Sequence, residues 1–192
     1  MEKIRSFIAV SLSPELRKEL AHIANELKSG AGAPVKWVET ENLHLTLKFL
    51  GDILPAQIPA IINTMRKAAV KTGPLKLEMN GLGVFPNQRR VRIIWAGLGG
   101  DVEKLSGLQQ RLESSLEPLG FTKEPRPFQP HLTIGRVREQ ASPAEREQLG
   151  DKVTAFRAPV PAPFVVDTLF LMRSTLTPSG PVYSELGNVS LI

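Results

Sequence analysis

The sequence predicts an α+β fold of two similar lobes, related by an approximate twofold axis and facing each other across a cleft. Three observations predict it. A short phrase occurs twice, His44-Leu45-Thr46-Leu47 and His131-Leu132-Thr133-Ile134, and it holds two of the three histidines in 192 residues. A histidine followed by a given Leu-Thr pair arises by chance on the order of once in a few hundred histidines at ordinary residue usage. The phrases lie 87 residues apart, and strand-like and helix-like segments elsewhere repeat at that offset. No low-complexity linker divides the chain, so residues 1–192 read as one two-lobed domain.

The elements follow in order. A first strand-like run, Ile4 to Val10, moves by the offset onto Val91 to Gly97. Ser13-Pro14 opens a helix over residues 14–28, with Leu16, Leu20, Ile23 and Leu27 on one face and Gly30 at its end. The offset carries this start onto Gly100-Asp101, where Asp101 caps a helix marked by Val102, Leu105, Leu108, Leu112 and Leu116 and closed by Gly120. Leu54-Pro55 opens a helix marked by Ile58, Ile61, Ile62, Met65 and Ala69 and closed by Gly73. Its counterpart starts at Ser142-Pro143-Ala144-Glu145, a capping box with proline in the first helical position. Strands are expected near 35–38, 43–50, 75–79, 91–97, 131–137, 164–173 and 182–186, with loops at Phe85 to Gln88 and Pro125 to Pro130. Four elements keeping one offset read as a diverged internal duplication.

Strand side chains alternate, so His44 and Thr46 share one face while Leu45 and Leu47 take the other. His131 and Thr133 repeat the arrangement above Leu132 and Ile134. An approximate twofold axis brings the two His/Thr pairs together across one cleft. Near neutral pH one imidazole can act as a base while its partner acts as an acid. In-line phosphodiester cleavage needs both, since water must lose a proton and the leaving oxygen must gain one. Threonine hydroxyls beside them can donate to the non-bridging phosphate oxygens. The third histidine, His22, falls off the apolar face of the first helix and reads as an exposed surface residue.

Composition narrows the function further. A catalytic zinc usually takes three protein ligands, and neither phrase has a carboxylate or second histidine at ligand spacing, so no metal or other cofactor is expected. Zero cysteines exclude disulfides and thiol nucleophiles and fit a reducing compartment. MEKIRSFIAVSL is too short and interrupted in its apolar stretch for a signal peptide, and no run reaches membrane-spanning length, so a cytoplasmic location and no membrane partner are expected. A net charge of +5 favours an anionic partner.

At these phrases the chain resembles the two-histidine phosphoesterases, and within them the bacterial and archaeal RNA 2′,3′-cyclic phosphodiesterases, also called 2′,5′ RNA ligases. The resemblance covers nearly the whole chain. IRSFIAVSLSPELRKEL is similar to the family's opening strand and helix, and VKWVETENLHLTLKFLGD to its first motif with the lead-in. GVFPNQRRVRIIWAGL resembles its central hairpin, PFQPHLTIGRVR its second motif, and RSTLTPSGPVYSEL its closing strands. The resemblance implies antiparallel sheets facing a central cleft, with helices outside and both chain ends in one lobe. It implies that His44 is the proton donor to the leaving 3′ oxygen and His131 the proton acceptor from water, giving a 2′-phosphomonoester end. Chemistry alone leaves the two histidines equivalent. Thr46, Thr133 and Arg136 would hold the phosphate, and Phe49 would offer a ring to the terminal base. Reverse 2′,5′ ligation would use the same pair with the roles exchanged.

Arg136 and Phe49 each lie five residues after their histidine, which in a regular strand points to the opposite face. A bulge or a strand end is needed for either to reach the cleft. Lys36, Lys48, Arg89, Arg90, Arg92, Lys123, Arg126 and Arg138 lie near the motifs or the hairpin, and of these Arg89, Arg90, Arg92 and Arg126 are the expected path for flanking RNA phosphates. The expectation is therefore a monomeric RNA enzyme. Its rivals are a two-histidine phosphodiesterase for a small cyclic nucleotide and a non-catalytic RNA-binding module.

Overall fold

A computed structural model of the chain describes residues 2–29, 32–159, 161–178 and 180–192. Strand β1 (Ile4–Ser11) leads into helix α1 (Pro14–Lys28), then β2 (Val35–Trp37) and β3 (His44–Ile53). Helix α2 (Ile58–Ala69) follows, then the long hairpin of β4 (Leu75–Phe85) and β5 (Ile93–Gly100). Helix α3 (Val102–Leu116), β6 (His131–Val137), α4 (Pro143–Ala155), β7 (Phe164–Val166), β8 (Thr168–Thr177) and β9 (Gly180–Ser190) complete the chain.

The strands form two antiparallel sheets, one ordered β3-β1-β8-β9 and the other β2-β6-β5-β4-β7. The fold is the α+β, two-lobed architecture anticipated above. The lobes are not the two halves of the chain. Strands β2, β4 and β5 of the first half belong to the five-stranded sheet, while β8 crosses back to pair with β1 and β9 pairs with β8.

Local chemistry explains most boundaries. Ser13 accepts the Leu16 N–H at the start of α1, and Ser142 and Glu145 form the expected reciprocal cap on α4. Gly30, expected to end α1, lies outside the described residues; Lys152 of α4 donates to the carbonyls of Glu26, Leu27 and Ser29, satisfying the free end of that helix. Asp101 departs from its expected role. Its carboxylate accepts the Lys76 N–H and pairs with Lys104, and it makes no side-chain cap on α3.

Two strand boundaries also differ from expectation. Strand β4 continues beyond 79 through Gly81 and Gly83, residues that signal a loop, because the flat Trp95 indole of β5 occupies the space a side chain at Gly83 would need. The run near 164–173 divides at Asp167 into β7 and β8, which belong to different sheets. One hydrophobic core backs both sheets, and Leu45, Leu47, Leu132 and Ile134 are at most 3% exposed. Among the described residues no helix is long and apolar enough to cross a membrane.

Candidate active site

Strands β3 and β6, which carry the two phrases, approach each other directly. Each contains a bulge one residue after its threonine. In β3, Thr46 pairs with Ala9 and Lys48 with Ile8, leaving Leu47 as the extra residue. In β6, Thr133 pairs with Trp95 and Gly135 with Ile94, leaving Ile134. An extra residue reverses the alternation of faces. Phe49 therefore joins His44 and Thr46 on the cleft face, and Arg136 joins His131 and Thr133. The buried faces record the same switch, since Leu47 and Lys48 are consecutive buried residues, as are Ile134 and Gly135.

Both histidines are fixed by one device. The Nδ1–H of His44 donates to the Asn42 carbonyl at 2.7 Å, and that of His131 to the Gln129 carbonyl at 2.6 Å. With Nδ1 holding a proton against a carbonyl, Nε2 becomes the atom that gains or loses one in chemistry. The segment before His44 is itself held, because Arg17 donates to the carbonyls of Thr40 and Glu41, and the Asn42 side chain donates to Pro181 O at 3.0 Å. That last bond ties the β8–β9 hairpin to the first motif.

Aromatic rings wall each imidazole. Phe7 stacks on His44 with centroids 4.8 Å apart, and Tyr183 meets it edge-on at 5.0 Å. Around His131 stand Phe85 at 5.2 Å and Trp95 at 6.3 Å, themselves stacked. Tyr183 is a site residue that sequence reasoning missed. Its one signal is that it is the only tyrosine in the chain. Phe49 is 68% exposed beside Phe7, an open ring at the cleft rim.

Burial pushes the His44 pKa below its usual value; its bond to Asn42 opposes that, while the charges of Arg17 and Arg136 add to it. Burial likewise raises the Tyr183 phenol, against the pull of Arg136 and Arg5. Arg136 of one sheet is thus felt at both His44 and Tyr183 of the other. Among the described residues, no group of three or more His, Cys, Asp or Glu is placed to hold a metal ion.

The four arginines expected to form a phosphate path do not gather at one end of the cleft. Arg89 pairs with Glu147 at 3.6 Å and Arg126 with Glu124 at 2.8 Å. Arg126 precedes the His131 end of β6, whereas Arg92 accepts a backbone bond from Val137 at the opposite end, next to the turn bearing Arg89 and Arg90. Lys48, grouped above with candidate phosphate ligands, is buried. It donates to Glu113 at 2.5 Å and to the Thr122 carbonyl, because the bulge turns it into the core. His22 is exposed on α1, as expected.

Two antiparallel sheets, each presenting a strand-borne His-x-Thr pair to a shared cleft, define a two-histidine phosphoesterase. The family model described as LigT like Phosphoesterase matches residues 10–95 and again 100–183, and the chain belongs to that family. It is 39% identical over 184 residues to the RNA 2′,3′-cyclic phosphodiesterase of Methanothermobacter thermautotrophicus, covering 96% of this chain and 97% of that one. It is 32% identical to the enzyme of that name from Methanocaldococcus jannaschii, over 95% of this chain and 98% of the relative. Among solved structures, TT0787 of Thermus thermophilus aligns with a TM-score of 0.76 at 29% identity, covering 98% of each chain. Escherichia coli LigT aligns with a TM-score of 0.76 at 23% identity, over 99% of each chain, and shares the fold.

Proposed function

We propose that the protein hydrolyses the 2′,3′-cyclic phosphate ends of RNA to 2′-phosphomonoesters, without a metal, through His44 and His131. The observation that carries this reading is the pair of matched Nδ1–H bonds, which reserve both Nε2 atoms for proton transfer on one cleft. The names of the relatives supply the substrate class. His131 takes a proton from water as the water oxygen bonds to phosphorus. The bond from phosphorus to O3′ breaks, and His44 gives its Nε2 proton to that oxygen. Thr46 and Thr133 donate to the non-bridging oxygens, Arg136 offsets their charge, and Phe49 stacks on the terminal base.

Burial lowers the His44 pKa in the free site, so the arriving phosphate anion has a second task. Its negative charge raises the His44 pKa and so favours the proton that the leaving oxygen will need. Run backwards, the same cleft joins a 5′-hydroxyl to the 2′ oxygen. Both motifs lie in one chain, which supports a monomer as the active unit, and an RNA substrate fits a cytoplasmic location. The matched bulges and the two successive family-model matches support one two-lobed domain born of duplication.

The test is turnover of an oligonucleotide ending in a 2′,3′-cyclic phosphate, with and without EDTA, beside a 2′,3′-cyclic mononucleotide. A 2′-phosphate product formed equally fast in chelator supports the reading. Loss of activity restored by zinc or manganese would overturn the metal-free mechanism. Preference for the mononucleotide would favour a small cyclic nucleotide, and no turnover of either would favour an RNA-binding module.

A further inference from the structure

We propose that Lys36 and Arg136 form a second anion site, which takes the phosphodiester on the 5′ side of the terminal nucleotide. This rests on the reading of the chain as an enzyme of RNA cyclic phosphate ends. Such an end has its cyclic phosphate at the reacting position, and its next phosphate can lie only on the 5′ side.

Lys36 and Arg136 are direct cross-strand partners in the β2–β6 pair, so both extend from the same, cleft-facing side of the sheet. Their neighbours hold that register. Val35 and Trp37 of β2 lie so close over Gly135 that an added β-carbon there would stand 2.9 Å and 3.1 Å from them. Lys36 then reaches toward the other lobe, its Nζ 3.7 Å from where a β-carbon on Gly180 would lie, on the hairpin that carries Tyr183.

Like charges directly opposite each other in a sheet repel, and this pair has no carboxylate to relieve it among the described residues. Several exposed cations elsewhere already have an acidic partner, namely Arg89, Lys104, Lys123, Arg126 and Arg173. Two uncompensated cations beside the reacting centre are arranged for an anion that comes from outside. Arg136 faces the reacting phosphate and Lys36 lies one strand further out. The 5′ phosphodiester falls to Lys36, with Arg136 between the two phosphates.

The experiment compares wild type, Lys36→Gln, Lys36→Arg and Arg89→Gln on two substrates, a trinucleotide ending in a 2′,3′-cyclic phosphate and a 2′,3′-cyclic mononucleotide lacking the 5′ phosphate. Lys36→Gln should lower kcat/KM for the trinucleotide about tenfold, the loss of one charge-assisted contact. It should also flatten the slope of log kcat/KM against log salt by about 0.7. The mononucleotide should change less than twofold, Lys36→Arg should recover most of the loss, and Arg89→Gln should match wild type. Equal losses on both substrates, no loss on either, or a loss only with Arg89→Gln would overturn the site. If wild type turns over neither substrate, the activity reading falls instead. The Kd of a fluorescent oligonucleotide then decides the anion site, an unchanged value in Lys36→Gln overturning it.

Discussion

The two motif strands share a backbone and differ in what surrounds it. Each places its histidine against a carbonyl two residues earlier, bulges one residue after its threonine and brings the fifth residue after the histidine back to the cleft. There the likeness stops. The first strand ends this pattern with the ring of Phe49 and the second with the charge of Arg136. Behind the cleft, Lys48 enters a buried ion pair at the position where β6 has Gly135 beneath β2. His44 is enclosed between Phe7 and Tyr183, with its lead-in latched to the β8–β9 hairpin, while His131 follows a long segment without regular structure. In the proposed mechanism one geometry supplies the proton chemistry twice, and the flanking positions would divide the substrate, with base on one side and phosphate on the other.

The largest effect should come from the feature the strands share. Replacing His44 or His131 by Ala should each lower kcat by about 10² to 10⁴, or roughly 2.7 to 5.5 kcal/mol of barrier, with an unchanged urea midpoint. A variant that kept near-normal turnover would break the symmetry of the two sites.

The buried pair tests a difference. Lys48 donates to Glu113, which also accepts from Gln109 and from the backbone N–H of Glu124, on the way to the second motif. Lys48→Met should cost about 3 to 5 kcal/mol of stability in urea denaturation, because Glu113 is left buried and unpaired. The double variant Lys48→Met, Glu113→Leu should recover much of it. A single variant as stable as wild type would show that this connection between the motifs carries no weight.

Phe49→Ala should raise KM by an amount worth about 1 to 3 kcal/mol of stacking and leave kcat nearly intact. A fall in kcat with KM unchanged would remove Phe49 from the role of base platform.

The smallest effect is a displacement in pH. His44 in the free enzyme titrates below the usual imidazole value of about 6.5, partly because Arg136 opposes a second positive charge. Arg136→Gln should therefore move the His44 titration upward, toward 6.5, as read from its imidazole NMR signal in the free enzyme. No shift, or a downward one, would show that the two lobes do not communicate electrostatically.

Much of this was legible in the sequence because it repeats. The two phrases located both imidazoles, the helix caps at Ser13 and Ser142 followed from their residue types, and the need for a bulge followed from the odd spacing of Phe49 and Arg136. What stayed hidden depends on distant packing. That both chain ends share a lobe came from the family resemblance and not from local pattern, which carries no signal for the pairing of β8 with β1 and β9 with β8 that brings Tyr183 to His44. The continuation of β4 through two glycines requires Trp95 on the neighbouring strand. Lys48 looked like a surface cation because nothing nearby reveals Glu113, 65 residues away.

The exchange of strands between the halves limits what either half can do alone. The first half of the chain, ending in the β4–β5 hairpin, would hold β1 and β3 without β8, β2 and β5 without the β6 that joins them, and β4 without β7. Each sheet would be left with open edges and an uncovered apolar face. On the proposed duplication, a single copy of the repeat would have reached this architecture as two chains trading strands, at a cost set by their concentration. Joining the copies turns that encounter into an intramolecular one, with an effective concentration in the mM range for a short flexible connection. If the chain arose by the proposed duplication, the two histidines first met as identical residues of separate molecules, and covalent linkage would have left them free to take the separate acid and base roles proposed above.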